Sequence, residues 1–138
     1  MKRITAIALF IVAGFVSSSR AIAQDRSVRA TVPFDFTVAN KLLPSGTYTI
    51  TPEASGVIMI QNSDKHIAVL SQTSYDSHGS RKGGQLVFDR YGDQYFLSEI
   101  LCQTAAMNVN VAPSKQEKRA RTQQASLHNA SQVYVATK

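Results

Sequence analysis

The chain has 138 residues, 17% of them charged, a formal charge of +6 and a single cysteine. That length bounds it to one domain once any leader is removed. One cysteine excludes an internal disulfide framework and any cysteine-rich metal module, so packing and backbone pairing must hold the fold together.

Lys2 and Arg3 precede an uncharged apolar run over 4–16, followed by Ser17, Ser18, Ser19 and Arg20. Basic, apolar and then polar is the order of a secretory signal peptide, and Ala21-Ile22-Ala23 supplies the small-x-small site that a signal peptidase accepts. Residues 1–23 are therefore expected to be cleaved, leaving Gln24 first in an exported chain, periplasmic or secreted. Thirteen apolar residues at helical rise cover about 20 Å of a hydrocarbon core roughly 30 Å thick, so the run is too short to span a membrane. Without Lys2, Arg3 and Arg20 the charge falls to +3, and it is unevenly placed: residues 24–112 sum to −1 and residues 113–138 to +4.

From Val28 the sequence alternates with period two, which predicts a half-buried strand with Val28, Ala30 and Val32 inward. Pro33 cannot donate to a ladder and breaks the pattern. It restarts with Phe34, Phe36 and Val38 inward against Asp35 and Thr37. Ala39-Asn40-Lys41 and Leu42-Leu43-Pro44-Ser45-Gly46 read as turns, and 47–51 as a strand burying Tyr48 and Ile50. Apolar runs at 57–60 and 66–70 flank Asn62-Ser63-Asp64-Lys65, which predicts a hairpin. Residues 71–84 are polar and read as a long exposed loop. Residues 85–89 and 94–102 flank Arg90-Tyr91-Gly92-Asp93, the clearest hairpin signal in the chain. In its second strand Phe96, Ile100 and Cys102 are expected on one face and Leu97 and Leu101 on the other. With both faces apolar, this strand should be central.

Residues 107–111 predict a short strand before Pro113. Ser114-Lys115-Gln116-Glu117 fits a capping box, so a helix is expected over about 115–127. Its apolar stripe is only alanines and Leu127, which predicts weak docking. Val133-Tyr134-Val135 reads as strand-like but isolated, in a flexible tail. The domain plan is thus a signal peptide at 1–23, a β domain at 24–112 and a basic helical extension with a tail at 113–138. The predicted fold is all-β: a small antiparallel β-sandwich or partly open barrel of about seven short strands, with a C-terminal helical extension.

Three segments, Ala30-Thr31-Val32-Pro33-Phe34-Asp35-Phe36, Leu43-Pro44-Ser45-Gly46-Thr47-Tyr48-Thr49-Ile50 and Arg90-Tyr91-Gly92-Asp93-Gln94-Tyr95-Phe96-Leu97-Ser98-Glu99, resemble the recurring segments of a family of short exported bacterial proteins of unknown function. The likeness covers roughly residues 28–120, with Pro113 to Glu117 included. It implies export and the strand order given above, and it assigns no activity and no site residues.

The residues carry no catalytic or metal constellation. His66, His78 and His128 lack the paired spacing that metal ligation needs, and Cys102 sits in an apolar strand where a buried small hydrophobe is the expected role. Asp35, Asp89, Asp93 and Glu99 could in principle supply two facing carboxylates for a hydrolase, but no nucleophile and base can be paired. Gly79-Ser80-Arg81-Lys82-Gly83-Gly84 lacks the ending of a phosphate loop. The cluster Lys115, Lys118, Arg119 and Arg121 is the candidate contact for an anionic partner, such as an envelope protein, a polysaccharide or an anionic surface; without interleaved aromatics it does not point to nucleic acid. The expectation is a non-enzymatic exported β-domain without a cofactor that binds another macromolecule, through the loop 71–84 or the basic extension. The alternatives are a small-barrel carrier of an apolar ligand or, less favoured, a hydrolase.

Overall fold

A computed structural model describes residues 26–75, 84–125 and 130–138. The signal-peptide segment, the stretch 76–83, Leu127, His78 and His128 lie outside the described residues.

The chain forms β1 (Val28–Val32), in which Val28, Ala30 and Val32 are buried and Arg29 and Thr31 exposed, as the alternation requires. Past Pro33, β2 (Phe36–Val38) and β3 (Lys41–Leu43) make a tight hairpin with Val38 opposite Lys41. Both turn residues, Ala39 and Asn40, have positive φ, 49° and 63°. Two left-handed residues in a two-residue loop are the type I′ turn, whose twist matches that of the flanking strands. Leu42 and Leu43 therefore belong to a strand rather than to the expected turn.

β4 (Gly46–Ala54) pairs antiparallel with β1, and β5 (Val57–Asn62) with β4. β6 (Ile67–Tyr75) returns along β5 through the predicted turn, in which Asn62 Oδ1 accepts the Lys65 backbone N–H at 3.0 Å. This strand runs to Tyr75 although its last residues are polar. Its second half is recruited by β9 (Met107–Val111), with Thr73 opposite Val111 and Tyr75 opposite Val109, so a distant pairing overrides the local loop signal.

The hairpin of β7 (Gln85–Tyr91) and β8 (Gln94–Cys102) turns at Gly92-Asp93, with Gly92 at φ 62°. β8 is central as expected: β7 runs along one side, and β9 and β2 share the other, β2 in parallel at Thr37 opposite Phe96. The face assignment within β8 is corrected. Register shifts between Val87 and Phe88, which face Glu99 and Leu97, leaving Ser98 as an extra residue whose hydroxyl donates to the Val87 carbonyl at 3.1 Å. A bulge interrupts the alternation. Leu97 consequently joins Ile100 and Cys102 in the main core, while Phe96 points to the opposite face.

After α1 (Lys115–Ala125), β10 (Ala130–Ala136) lies antiparallel on β7 through seven register pairs. Val133-Tyr134-Val135 is thus a strand of the sheet and not an isolated tail. Among the described residues there are ten strands and one helix. They form one large mixed sheet that curls along β1-β4-β5-β6-β9-β8-β7-β10, with β2 and β3 attached to β8. It is not closed into a barrel. Its ends meet only at a seam, where Ala30 bridges Thr137 and the Lys138 N–H donates to the Arg29 carbonyl at 2.8 Å.

The concave side is filled by side chains. Phe36 stands edge-on to Tyr48 and Phe88 at centroid distances of 5.1 and 5.3 Å, among Ile50, Ile60, Leu86 and Ile100. Tyr48 is fully buried, and its hydroxyl donates to the Pro44 carbonyl. Burial raises its pKa, against the opposing hydrogen bond from Asn62.

Candidate functional site

The convex side of the sheet carries a second, smaller cluster, and α1 lies over it. In-register neighbours on adjacent strands share a face. Phe96 of β8 lies opposite Thr37 of β2, and Thr37 opposite Leu42 of β3, so these three form one cross-strand row on the convex face. Asp89 extends the row from β7, facing Phe96 on one side and Gln132 of β10 on the other.

The helix is seated by caps before it is seated by packing. The Ser114 hydroxyl accepts the Glu117 backbone N–H at 3.1 Å, and the Glu117 carboxylate accepts the Ser114 N–H in return. Those are the two reciprocal bonds of a capping box. A third orphan donor, the Gln116 N–H, goes to Asn40 Oδ1 at 3.3 Å, tying the helix start to the β2–β3 turn. Ala120 then packs on Phe96 and Tyr91.

Glu117 is only 4% exposed. Burial raises its pKa; Arg121 works in the opposite direction, while Asp89 adds to the rise. Arg121 is shared among three partners. Its Nε donates to the Tyr91 hydroxyl at 3.0 Å, its Nη2 to Glu117 Oε1 at 3.3 Å, and Asp89 Oδ2 lies 4.0 Å away. The Tyr91 bond is foremost in favouring the charged guanidinium. Asp89 Oδ1 accepts from Gln132 Nε2 at 3.2 Å, and Gln132 Oε1 accepts the Tyr134 hydroxyl at 3.0 Å. A continuous polar chain therefore links α1, β7 and β10.

This geometry divides the four predicted basic residues. Lys115, Lys118 and Arg119 are exposed, and at helical spacing they fall on one side of α1, away from the buried Glu117 and Ala120. Arg121 faces the sheet, its side chain 55% exposed but its guanidinium held by Tyr91 and Glu117.

Beside the helix the row Phe96-Thr37-Leu42 is only partly covered. Ala120 covers Phe96, whereas Leu42 is 66% exposed. The uncovered part is a solvent-open cleft of about 530 Å³ between α1, the β2–β3 hairpin and the start of β8. Asp35, Asp93 and Gln94 line it from the sheet side, and Gln116, Arg119 and Gln123 from the helix. Asp35 is oriented by accepting the Ser45 N–H at 2.7 Å.

The cleft draws together residues that sequence reasoning left apart. Asp35 and Asp93 stand on separate segments, and Leu42 carried only a turn signal. The alternation of β2 and β3 could have put Thr37 and Leu42 on one face. The bulge that sends Phe96 to that face has no sequence signal beyond Ser98 within an apolar run.

Of the other candidates, His66 is exposed in the β5–β6 turn with φ 52°, and Cys102 is buried with Sγ 3.2 Å from the Thr104 hydroxyl. Asp89 and Glu99 do not line the cleft. Among the described residues no group of three or more His, Cys, Asp or Glu side chains is placed to hold a metal ion, and no helix is long and apolar enough to cross a membrane. No family model, curated protein or solved structure matches the chain.

Proposed function

We propose that this chain is an exported, non-enzymatic β-domain of the cell envelope or secreted space that binds another macromolecule through the side of the molecule occupied by α1. The observation that carries this reading is the placement of Lys115, Lys118 and Arg119 on the solvent side of a capped helix, directly beside an open cleft. A helix fixed by three capping bonds and a buried alanine holds those cations in a defined array, which a free tail would not do. Its counterpart, a carrier with an apolar ligand inside the sheet, is disfavoured because Phe36, Tyr48, Phe88 and their neighbours occupy the concave side.

Export rests on the order of residues 1–23. The intact mass of the chain recovered from outside the cytoplasm should correspond to an N-terminus at Gln24; a mass retaining residues 1–23 refutes export by cleavage. Binding is tested by photo-crosslinking from position 118 or 119 in the native envelope, compared with the same probe at Glu53 on the exposed end of β4. A discrete crosslinked species from α1 alone supports the reading, and equal labelling from both positions overturns it.

A further inference from the structure

We propose that the cleft beside α1 is a binding site for an uncharged saccharide chain. This rests on the reading of the protein as a binding module and names the ligand class for the cleft. The first observation is the floor: Phe96, Thr37 and Leu42 form a row that α1 covers only at the Phe96 end, leaving Leu42 66% exposed in a molecule that buries its other β2–β3 apolar residues. The second is the rim, in which Asp35, Asp93, Gln94, Gln116 and Arg119 face one volume of about 530 Å³. That size lies within the roughly 300–1,000 Å³ of small-molecule sites.

The chemistry of the rim selects among ligand classes. A polyanion entering the cleft would meet two carboxylates, and a polycation would meet the Arg119 guanidinium; either leaves like charges facing each other at unfavourable energy. A neutral polyol has no such conflict. Its hydroxyls donate to Asp35 and Asp93, accept from Arg119, and do both with the amides of Gln94 and Gln116. The C–H face of a sugar ring is apolar and matches the Leu42 floor, and the cleft's opening to solvent leaves room for a chain to continue beyond it. The outward cations Lys115 and Lys118 do not line the cleft and take no part.

The test is titration of the mature chain with neutral hexasaccharides (malto-, cello- and chito-oligosaccharides) followed by amide NMR shifts, with heparin as a polyanionic comparison. The expected result is saturable shifts at Leu42, 93–96, Gln116 and Arg119 with at least one neutral chain, unaffected by 0.5 M salt. Asp93→Ala and Leu42→Ser, both at exposed positions, should each weaken that binding at least tenfold, whereas Glu53→Gln, on the exposed end of β4 and outside the cleft lining, should leave it unchanged. Absence of shifts with every neutral chain, or shifts mapping away from the cleft, overturns the assignment. Salt-sensitive binding of heparin alone, lost in the Lys115→Glu, Lys118→Glu variant, also overturns it while leaving the broader reading of α1 as the binding side intact; loss of all binding together with a failed α1 crosslink refutes both.

Discussion

Cys102 and Glu117 show what burial does to two reactive side chains. Cys102 is 6% exposed, in the core beside Met107, and its sulfur lies against the Thr104 hydroxyl. Access therefore requires opening of the β8–β9 pairing. Thiol reagents should label it at least a hundredfold faster in denaturant than in native buffer, and rapid native labelling or a disulfide-linked dimer would contradict this placement. Glu117 behaves differently, because its cap requires a hydrogen-bond acceptor and its position disfavours a charge. Its folded pKa lies above the ordinary carboxyl value of 4.5, chiefly from burial. Between those two values the folded state holds more protons than the unfolded one, so stability falls as pH rises through the folded pKa. Glu117→Gln keeps a capping-box side chain but cannot titrate. The Tm lead of the native chain over Glu117→Gln should be larger at pH 4 than at pH 7, and a lead that is constant, or that grows toward neutrality, refutes the raised pKa.

At the scale of elements, the C-terminal strand is the feature that changes most between sequence and structure. The amphipathic thinness of residues 113–138 suggests a segment that contributes little, yet β10 covers the whole length of β7 and sends Val133 and Val135 against the core. Removing it exposes the edge of β7, including the backbone of Leu86 and Phe88, and unlinks the Asp89–Gln132 bond. Partial burial of two valines is worth about 1–3 kcal/mol, and each kcal/mol moves the Tm of a domain this size by roughly 4–8 °C. A chain ending at Ala125 should therefore melt at least about 4 °C lower by circular dichroism, and an unchanged Tm would show that β10 is peripheral. Most strands were legible because one face of each is buried: β1, β4 and the β5–β6 and β7–β8 hairpins follow the period-two pattern and the turn residues Asn62, Asp64 and Gly92. What was not legible depends on partners distant in sequence. The second half of β6 is a strand because β9 lies beside it, β10 because β7 offers an edge, and Phe96 faces outward because Ser98 is bulged. The four basic residues could be read as a cluster, but not which of them the sheet would engage; Tyr91 and Asp89, thirty or so positions earlier, decide that for Arg121.

For the whole molecule, the uneven charge of the sequence becomes a directional property. Residues 24–112 sum to −1 and residues 113–138 to +4, and the fold lays the basic helix across the convex side of β7 and β8. Lys115, Lys118 and Arg119 then face solvent together, so a negatively charged surface meets this side with a favourable field and the remainder of the domain with nearly none. Exposed charges of this kind contribute little to stability, which separates binding from folding in an experiment. Screening sets the salt dependence: the Debye length shortens from about 10 Å at 0.1 M to about 3 Å at 1 M. Retention of residues 24–138 on anionic phospholipid vesicles is accordingly expected at about 0.05 M salt and expected to be lost by about 0.5 M. Lys115→Glu with Lys118→Glu should abolish it with a Tm within about 2 °C of the native chain, since both side chains are exposed and neither takes part in the Glu117–Arg121–Asp89 chain. Retention that survives the double reversal would place the contact elsewhere on the surface. No retention even at low salt would mean that three ordered cations are too few to hold the protein at a charged surface without a specific partner.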